Sequence, residues 1–361
     1  MTAITDATVS VYTVPTDAPE SDGTLDWTST TIVIVEVRAG DACGLGYTYG
    51  HKAVATLVSE MLFPVVRGRD AMNVGGSWVA MTRAIRNQGR PGIVSMAIAA
   101  VDAALWDLKA RLLDIPLVTL LGSAHDAVPV YGSGGFTSYS IDRLQRQLAD
   151  WVERGISRVK MKVGRRPEDD NERVRMAREA IGPAAALFVD ANGAYSRKQA
   201  LMHAEAFADA GVAWFEEPVS SDDLEGLRRV CDRAPAGMDI AAGEYGYDLY
   251  YFRRMLDAGA VDVLQADATR CGGITGLLQV GALCDAYNMP LSAHTASALH
   301  VHPCCAIARV RHVEHFYDHE RIERMLFDGV PEPVNGLLRP DLSRPGFGFE
   351  FKRADASRYA A

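Results

Sequence analysis

The chain has 361 residues, 48% of them hydrophobic, and a formal net charge of −9. That length supports one large domain or two, with a sizeable core. The acidic balance argues against nucleic acid or an anionic membrane as partner.

At the N-terminus, Met1–Asp6 lacks the basic start and apolar core of a signal peptide, so a cytoplasmic location is expected. Ala7–Val14 and Thr31–Val37 read as two partnered strands. Between them Thr16–Thr28 is polar, acidic and rich in turn formers, which predicts a long mobile loop. Gly44–His51 reads as a third strand running into a glycine-flanked turn. Val94–Leu112 then follows helical spacing, with Met96, Ile98, Val101, Leu105 and Leu108 mostly on one side. Residues 1–125 are therefore expected to form an α+β capping domain. No apolar run approaches the roughly 20 residues that span a bilayer.

From Val128 short apolar strands alternate with amphipathic helices. Strands are predicted at Val128–Gly132, Arg158–Val163, Ala186–Asp190, Ala213–Glu216, Asp239–Glu244, Val261–Asp267, Pro290–His294 and Val310–Phe316. Eight such units with near-continuous apolar strands favour a parallel α/β barrel over residues 126–330. Gly132-Ser133-Gly134-Gly135-Phe136 is not a dinucleotide fingerprint. The segment 331–361 is too short for a domain and is expected to pack back on the cap. The six cysteines show no zinc spacing and read as reduced thiols.

The chemistry sits at the predicted strand ends. Lys162, Asp190, Glu216, Glu244, Asp267, His294 and Glu314 follow one another at about one βα unit each. In a parallel barrel such ends converge on one mouth. Three converging carboxylates, Asp190, Glu216 and Glu244, repel one another unless a cation joins them. Oxygen-only donors suit Mg²⁺ rather than Zn²⁺. The weaker alternative is three helix caps. Asp267 and His294 end consecutive strands, so the acid can fix the imidazole tautomer and make its other nitrogen a base. His300 and His302 find no third ligand and read as structural.

Lys160-Met161-Lys162 places two ammonium groups on one face of a strand. Like charges that close predict a lysine pKa falling toward neutrality, and hence a base. An exposed edge strand is the alternative reading. Glu314 is expected as a buried, protonated acid, or else as a solvated side chain. Two bases flanking a hard cation suit proton abstraction next to a carboxylate, with the cation and Lys160 stabilising the enediolate.

These motifs, Lys160-Met161-Lys162, Asp190-Ala191-Asn192, Glu216-Glu217-Pro218, Gly243-Glu244, the Asp267/His294 pair and Glu314, make the chain resemble the mandelate racemase subgroup of the enolase superfamily. The resemblance spans nearly the whole chain. It implies a modified TIM barrel of the (β/α)7β kind, capped by the α+β domain and completed by the C-terminal tail. It implies one Mg²⁺ on Asp190, Glu216 and Glu244, with Lys162 and His294 as bases. Lys160 and Glu314 would contact the substrate carboxylate, and Asn192 would be a further polar contact. In proteins that this chain resembles, cap loops close over the mouth, which here brings in Trp27, Tyr47 and His51 as substrate-binding candidates.

The polar lid favours an acid sugar over an aromatic hydroxy acid. Dehydration of an aldonate or aldarate to a 2-keto-3-deoxy acid is therefore expected. Racemisation, epimerisation and sugar-lactone cycloisomerisation share the first step and stand as alternatives. A silent barrel that only binds a small acid is the reading from another class. The expected partner is a small carboxylate, and a homo-oligomer is expected.

Overall fold

The structure is a computed structural model that describes residues 2–361. It opens with three antiparallel strands in the order β1-β2-β3, namely β1 Ile4–Ser21, β2 Asp26–Ala39 and β3 Ala42–Tyr49. The unbroken apolar run Ile32–Val37 exists because β2 is covered on both faces. Val33, Val35 and Val37 pack on the cap helices, whereas Ile32 and Ile34 join the core shared with the barrel. Period-2 geometry assigns alternate residues to the two sides.

The loop expected over Thr16–Thr28 is instead the end of a hairpin. Glu20 pairs with Trp27 and Ser21 with Asp26, and the surplus residues after Pro15 are taken up in a bulge. At the tip, the Asp22 side chain accepts the Thr24 and Leu25 amides at 2.6 and 2.7 Å. The turn-forming composition is thus spent on one tight turn and one bulge. The tip docks on the barrel, where Thr137 N donates to Ser21 O at 2.8 Å. A Cβ on Gly23 would lie 2.4 Å from Ala191 O, so only glycine permits that approach.

The cap continues with α1 Ala53–Leu57, a π-turn at Val58–Leu62, α2 Phe63–Val66, α3 Val74–Ala84, α4 Ile93–Leu112 and α5 Leu117–Leu121. α4 is buried nearly all round, not on one side, because β3 packs against it on one flank and the barrel on another. Its Asp107 accepts the Leu45 and Phe347 amides at 2.8 Å each, tying the cap sheet to the C-terminal segment.

The eight barrel strands are β4 Val128–Gly134, β5 Arg158–Lys162, β6 Ala186–Asp190, β7 Val212–Glu216, β8 Asp239–Ala242, β9 Val263–Ala266, β10 Leu291–Ala293 and β11 Val310–Phe316. They pair in sequence order, all parallel, and β11 closes on β4. The connecting helices are α6 Ile141–Glu153, α7 Pro167–Ile181, α8 Arg197–Asp209, α9 Leu224–Cys231, α10 Leu249–Asp257, α11 Gly273–Ala286 and α12 Ser297–Cys305. A further helix, α13 Tyr317–Leu326, follows the last strand. Ser140, Ser196, Asp223 and Asp248 cap four of these helices through their side chains. Tyr131, Phe188 and Trp214 fill the barrel interior beneath the mouth. This is the packed core that a parallel barrel needs.

The tail serves both parts of the molecule. β12 Phe327–Asp328 pairs with β14 Glu350–Phe351, and β13 Leu337–Leu338 adds antiparallel to β4. Arg353, in the short helix α14 Arg353–Ala356, pairs with Glu36 of the cap. No helix among the described residues is long and apolar enough to cross a membrane.

Candidate active site

The strand register brings the acids together. Lys162 lies beside Asp190, and Asp190 beside Glu216, at the ends of β5, β6 and β7. Glu244 lies past the end of β8. It follows Gly243, whose φ of 141° and tight approach to Gln265 O admit no side chain. One oxygen each from Asp190, Glu216 and Glu244 falls within 4.8 Å of the others, and all three residues are buried.

The charges at the mouth are out of balance. Asp190, Glu216, Glu217, Glu244, Asp267 and Glu314 are all buried there, against the permanent cations Lys160, Lys162 and Arg270. Burial, and then Asp190, push the Glu216 carboxyl up although Lys160 lies 2.6 Å away. A divalent cation held by oxygen donors offsets that excess, so the donor set fits Mg²⁺. Glu217 Oε1 is buried with no hydrogen-bond partner, and burial followed by Glu244 raises its carboxyl.

Both lysines point into the mouth. Lys160 Nζ reaches Glu216 at 2.6 Å, Glu314 at 2.8 Å and Asp190 at 3.4 Å. Lys162 Nζ lies 2.5 Å from Asp190 Oδ2. The expected fall in a lysine pKa does not occur. Burial alone would lower both, but the carboxylates outweigh burial and the mutual repulsion, and both pKa values rise.

Glu314 also differs from expectation. Burial would protonate it, yet Lys160 and then His294 pull its carboxyl down to about 2. That direction is opposite to the one a buried, protonated acid requires. It accepts the Thr295 amide at 3.1 Å.

His294 and Asp267 meet as the sequence suggests. Nδ1 lies 2.9 Å from Asp267 Oδ2, which leaves Nε2 facing Glu244 Oε2 at 3.0 Å and Glu314 Oε2 at 3.7 Å. Burial opposes a charge on this ring, but Glu244 and Glu314 raise its pKa to about 10. His300 accepts the Ala268 amide at 2.8 Å and donates from Nδ1 to Thr295 O at 2.9 Å. That bond braces Thr295 and Ala296, which both have positive φ. Asn192 and Glu217 share this backbone state, so four unfavourable conformations cluster at the mouth. His302 is structural, held between Val118 N and Phe347 O.

A cavity of about 430 Å³ opens above these groups, and Trp27, His51 and Asn192 line it. Tyr47 does not. It is fully buried and donates to Glu323 Oε1 at 2.6 Å. Tyr49, two residues on and so on the same face of β3, lines the cavity in its stead.

Arg270, Tyr245, Thr295 and His319 also line the cavity without having been expected there. Arg270 lies 3.6 Å from both Glu244 and Asp267. Its place three residues after Asp267 was a usable signal. For His319, stacked on Tyr49 at 3.5 Å between ring centroids, local sequence offers none.

Residues 6–122 match the mandelate racemase/muconate lactonizing enzyme N-terminal domain, and residues 143–356 match the enolase C-terminal domain-like family. A mandelate racemase/muconate lactonizing enzyme-like protein from Rubrobacter xylanophilus superposes with a TM-score of 0.98 at 57% identity, over 99% of this chain and 100% of that one. The 3,6-anhydro-alpha-L-galactonate cycloisomerase of Streptomyces coelicolor A3(2) is 35% identical over 89% of this chain and 90% of its own. The L-talarate/galactarate dehydratase of Salmonella typhimurium LT2 is 30% identical over 80% of this chain and 74% of its own. Its crystal structure liganded with Mg and L-lyxarohydroxamate has a TM-score of 0.90 at 28% identity, over 99% of this chain and 93% of that one. With both domains matched and the barrel and cap superposed, the chain belongs to the mandelate racemase/muconate lactonizing enzyme family of the enolase superfamily.

Proposed function

We propose that the protein dehydrates an acid sugar to a 2-keto-3-deoxy acid. The observation that carries this reading is the flanking of one triad by two proton carriers. Lys162 Nζ touches Asp190 at 2.5 Å from β5, and His294 Nε2 touches Glu244 at 3.0 Å from beyond β10. Asp190, Glu216 and Glu244 would hold Mg²⁺. A bound Mg²⁺ would supply Lewis-acid stabilisation of charge on the substrate carboxylate.

Lys162 and His294 face the α-carbon from opposite sides, so its configuration decides which one takes the proton. Asp267 occupies Nδ1, so Nε2 is the atom that exchanges a proton. Lys160 and Glu314 form a fixed ion pair beside the carboxylate end, and Lys160 stabilises the enediolate. The C2–H and C3–O bonds break, and the hydroxyl leaves as water with a proton from the protonated base. The resulting enol then ketonises.

A second reading is cycloisomerisation, favoured by the similarity to the Streptomyces coelicolor cycloisomerase. Both reactions begin with the same proton. Incubation of acid sugars with Mg²⁺ in D₂O separates them, since elimination yields a keto acid and loses water. Cycloisomerisation gives an isomer of unchanged mass apart from deuterium. No keto acid from any acid sugar would refute the dehydratase reading.

A further inference from the structure

The proposed reaction positions the substrate carboxylate and C2, and the cap presents a separate wall to the far end of the molecule. We infer that this wall is made for an uncharged distal end, so that the substrate is a monocarboxylate, an aldonate or an internally anhydro aldonate, rather than a dicarboxylate aldarate. The inference rests on the acid-sugar reading and narrows it.

The cations of the cavity gather at one end. Lys162, Arg270 and His294 each lie within 3.6 Å of Asp190, Glu244 or Asp267. The far wall comes from Trp27, Ser29 and Thr31 of β2, from Tyr49 and His51, and from Phe316 and His319. Among the described residues, no lysine or arginine lines this part. Asp22 does line it, so a second carboxylate would meet a like charge.

The two imidazoles do not fill the gap. His51 Nδ1 is taken up by the Ala53 amide at 3.2 Å, which leaves Nε2 as the atom that can face the cavity. His319 is 8% exposed, and its Nδ1 is buried with no partner. Burial, followed by the field of His294, lowers its pKa to about 3.

Arg321 and Arg143, which bond to β1 beside β2, are already engaged. Arg321 pairs with Asp318 at 2.8 Å, and Arg143 with Asp17 at 3.0 Å. Trp27 donates its indole N–H to Glu20 at 2.8 Å and offers the cavity only its apolar ring. What remains is a set of hydroxyls, imidazoles and aromatic faces. Such a wall suits sugar hydroxyls and C–H faces, and it leaves a carboxylate desolvated without a counter-ion.

Calorimetry of the full chain with Mg²⁺ tests this, using a panel of hexonates and pentonates, each matched with the aldarate of the same configuration. At least one aldonate should bind, with its aldarate at least about tenfold weaker. An aldarate that binds as tightly as its aldonate, or the absence of any aldonate binding, would overturn the inference. Ser29→Arg and Thr31→Arg place a cation in the wall and should narrow the gap. An unchanged gap in variants that still bind the aldonate counts against it. Aldonate binding without keto acid would sink the dehydratase reading alone. Keto acid formed faster from aldarates would sink this inference alone.

Discussion

His294 and Asp267 meet at 2.9 Å across the ends of two adjacent strands, with the imidazole Nδ1 toward the acid. The acid fixes the tautomer and leaves Nε2 to face Glu244 of the carboxylate triad. Asp267→Asn keeps the shape but removes the charge that orients the ring. Turnover should fall by about 10² or more, while the circular dichroism spectrum stays as in the parent. Unchanged kcat would show that the pair does not act as a unit.

Lys162→Ala and His294→Asn each remove one of the two proposed proton carriers. Both variants should lose keto-acid formation and still fold. A base that works from one side only also shows in isotope exchange. Each variant should lose solvent deuterium incorporation on its own face of C2, as read by NMR of recovered substrate. Full activity in both variants would remove them from the chemistry.

EDTA should abolish turnover, and added Mg²⁺ should restore it. The same ion should stabilise the fold, because Asp190, Glu216 and Glu244 are buried and repel one another. At 100 times its Kd a bound ligand adds about 2.7 kcal/mol to the unfolding free energy. Denaturant titration of the parent with and without Mg²⁺ reads this directly. Glu216→Gln should lose most of the gain, and an equal gain in that variant would place the ion elsewhere.

Gly46 shows how closely the cap sheet lies on α4. An added Cβ would sit 2.2 Å from Ala100 O and 2.5 Å from Ala104 N, both backbone atoms. Gly46→Ala should therefore cost about 1–3 kcal/mol. Gly75 in α3 is exposed, with nothing within 4 Å of the same position. Gly75→Ala should be neutral or gain up to about 1 kcal/mol. Chemical denaturation of the pair checks both signs.

Buried histidines set one acid limb of stability. Burial lowers the His302 pKa to about 4, despite its bond to Phe347 O. The unfolded ring takes a proton near 6.5 and the folded ring does not until about 4. Between those values the unfolded state binds more protons, so stability drops as pH falls through the window. The shift corresponds to about 3 kcal/mol at most. His302→Gln should flatten the dependence of unfolding free energy on pH between about 6.5 and 4. A slope equal to the parent's would assign it to other groups.

The barrel was legible because its signal is local. Each buried parallel strand needs a short apolar run, and seven of the eight bear a charged or imidazole side chain at or just past the end. Period alone then carries Asp190, Glu216, Glu244, Asp267 and His294 to a common mouth. The hairpin over residues 16–28 was not legible, because Pro15, Pro19 and Asp22 have the composition of a loop and serve here in a bulge and a docked turn. Tyr47 was misplaced because it shares one face of β3 with Tyr49, and alternation does not say how far along that face the cavity begins.

Sequence by itself determined the order of elements, the spacing of the strand ends and the oxygen-rich character of the carboxylate triad, since all three follow from residue type and period. Only the tertiary structure decided the direction in which the pKa values of Lys160, Lys162 and Glu314 move, and which residues wall the cavity. A side chain's charge depends on the sum of fields around it. Those fields come from acids and cations that lie far apart in the chain and become neighbours only when the barrel closes and the cap docks.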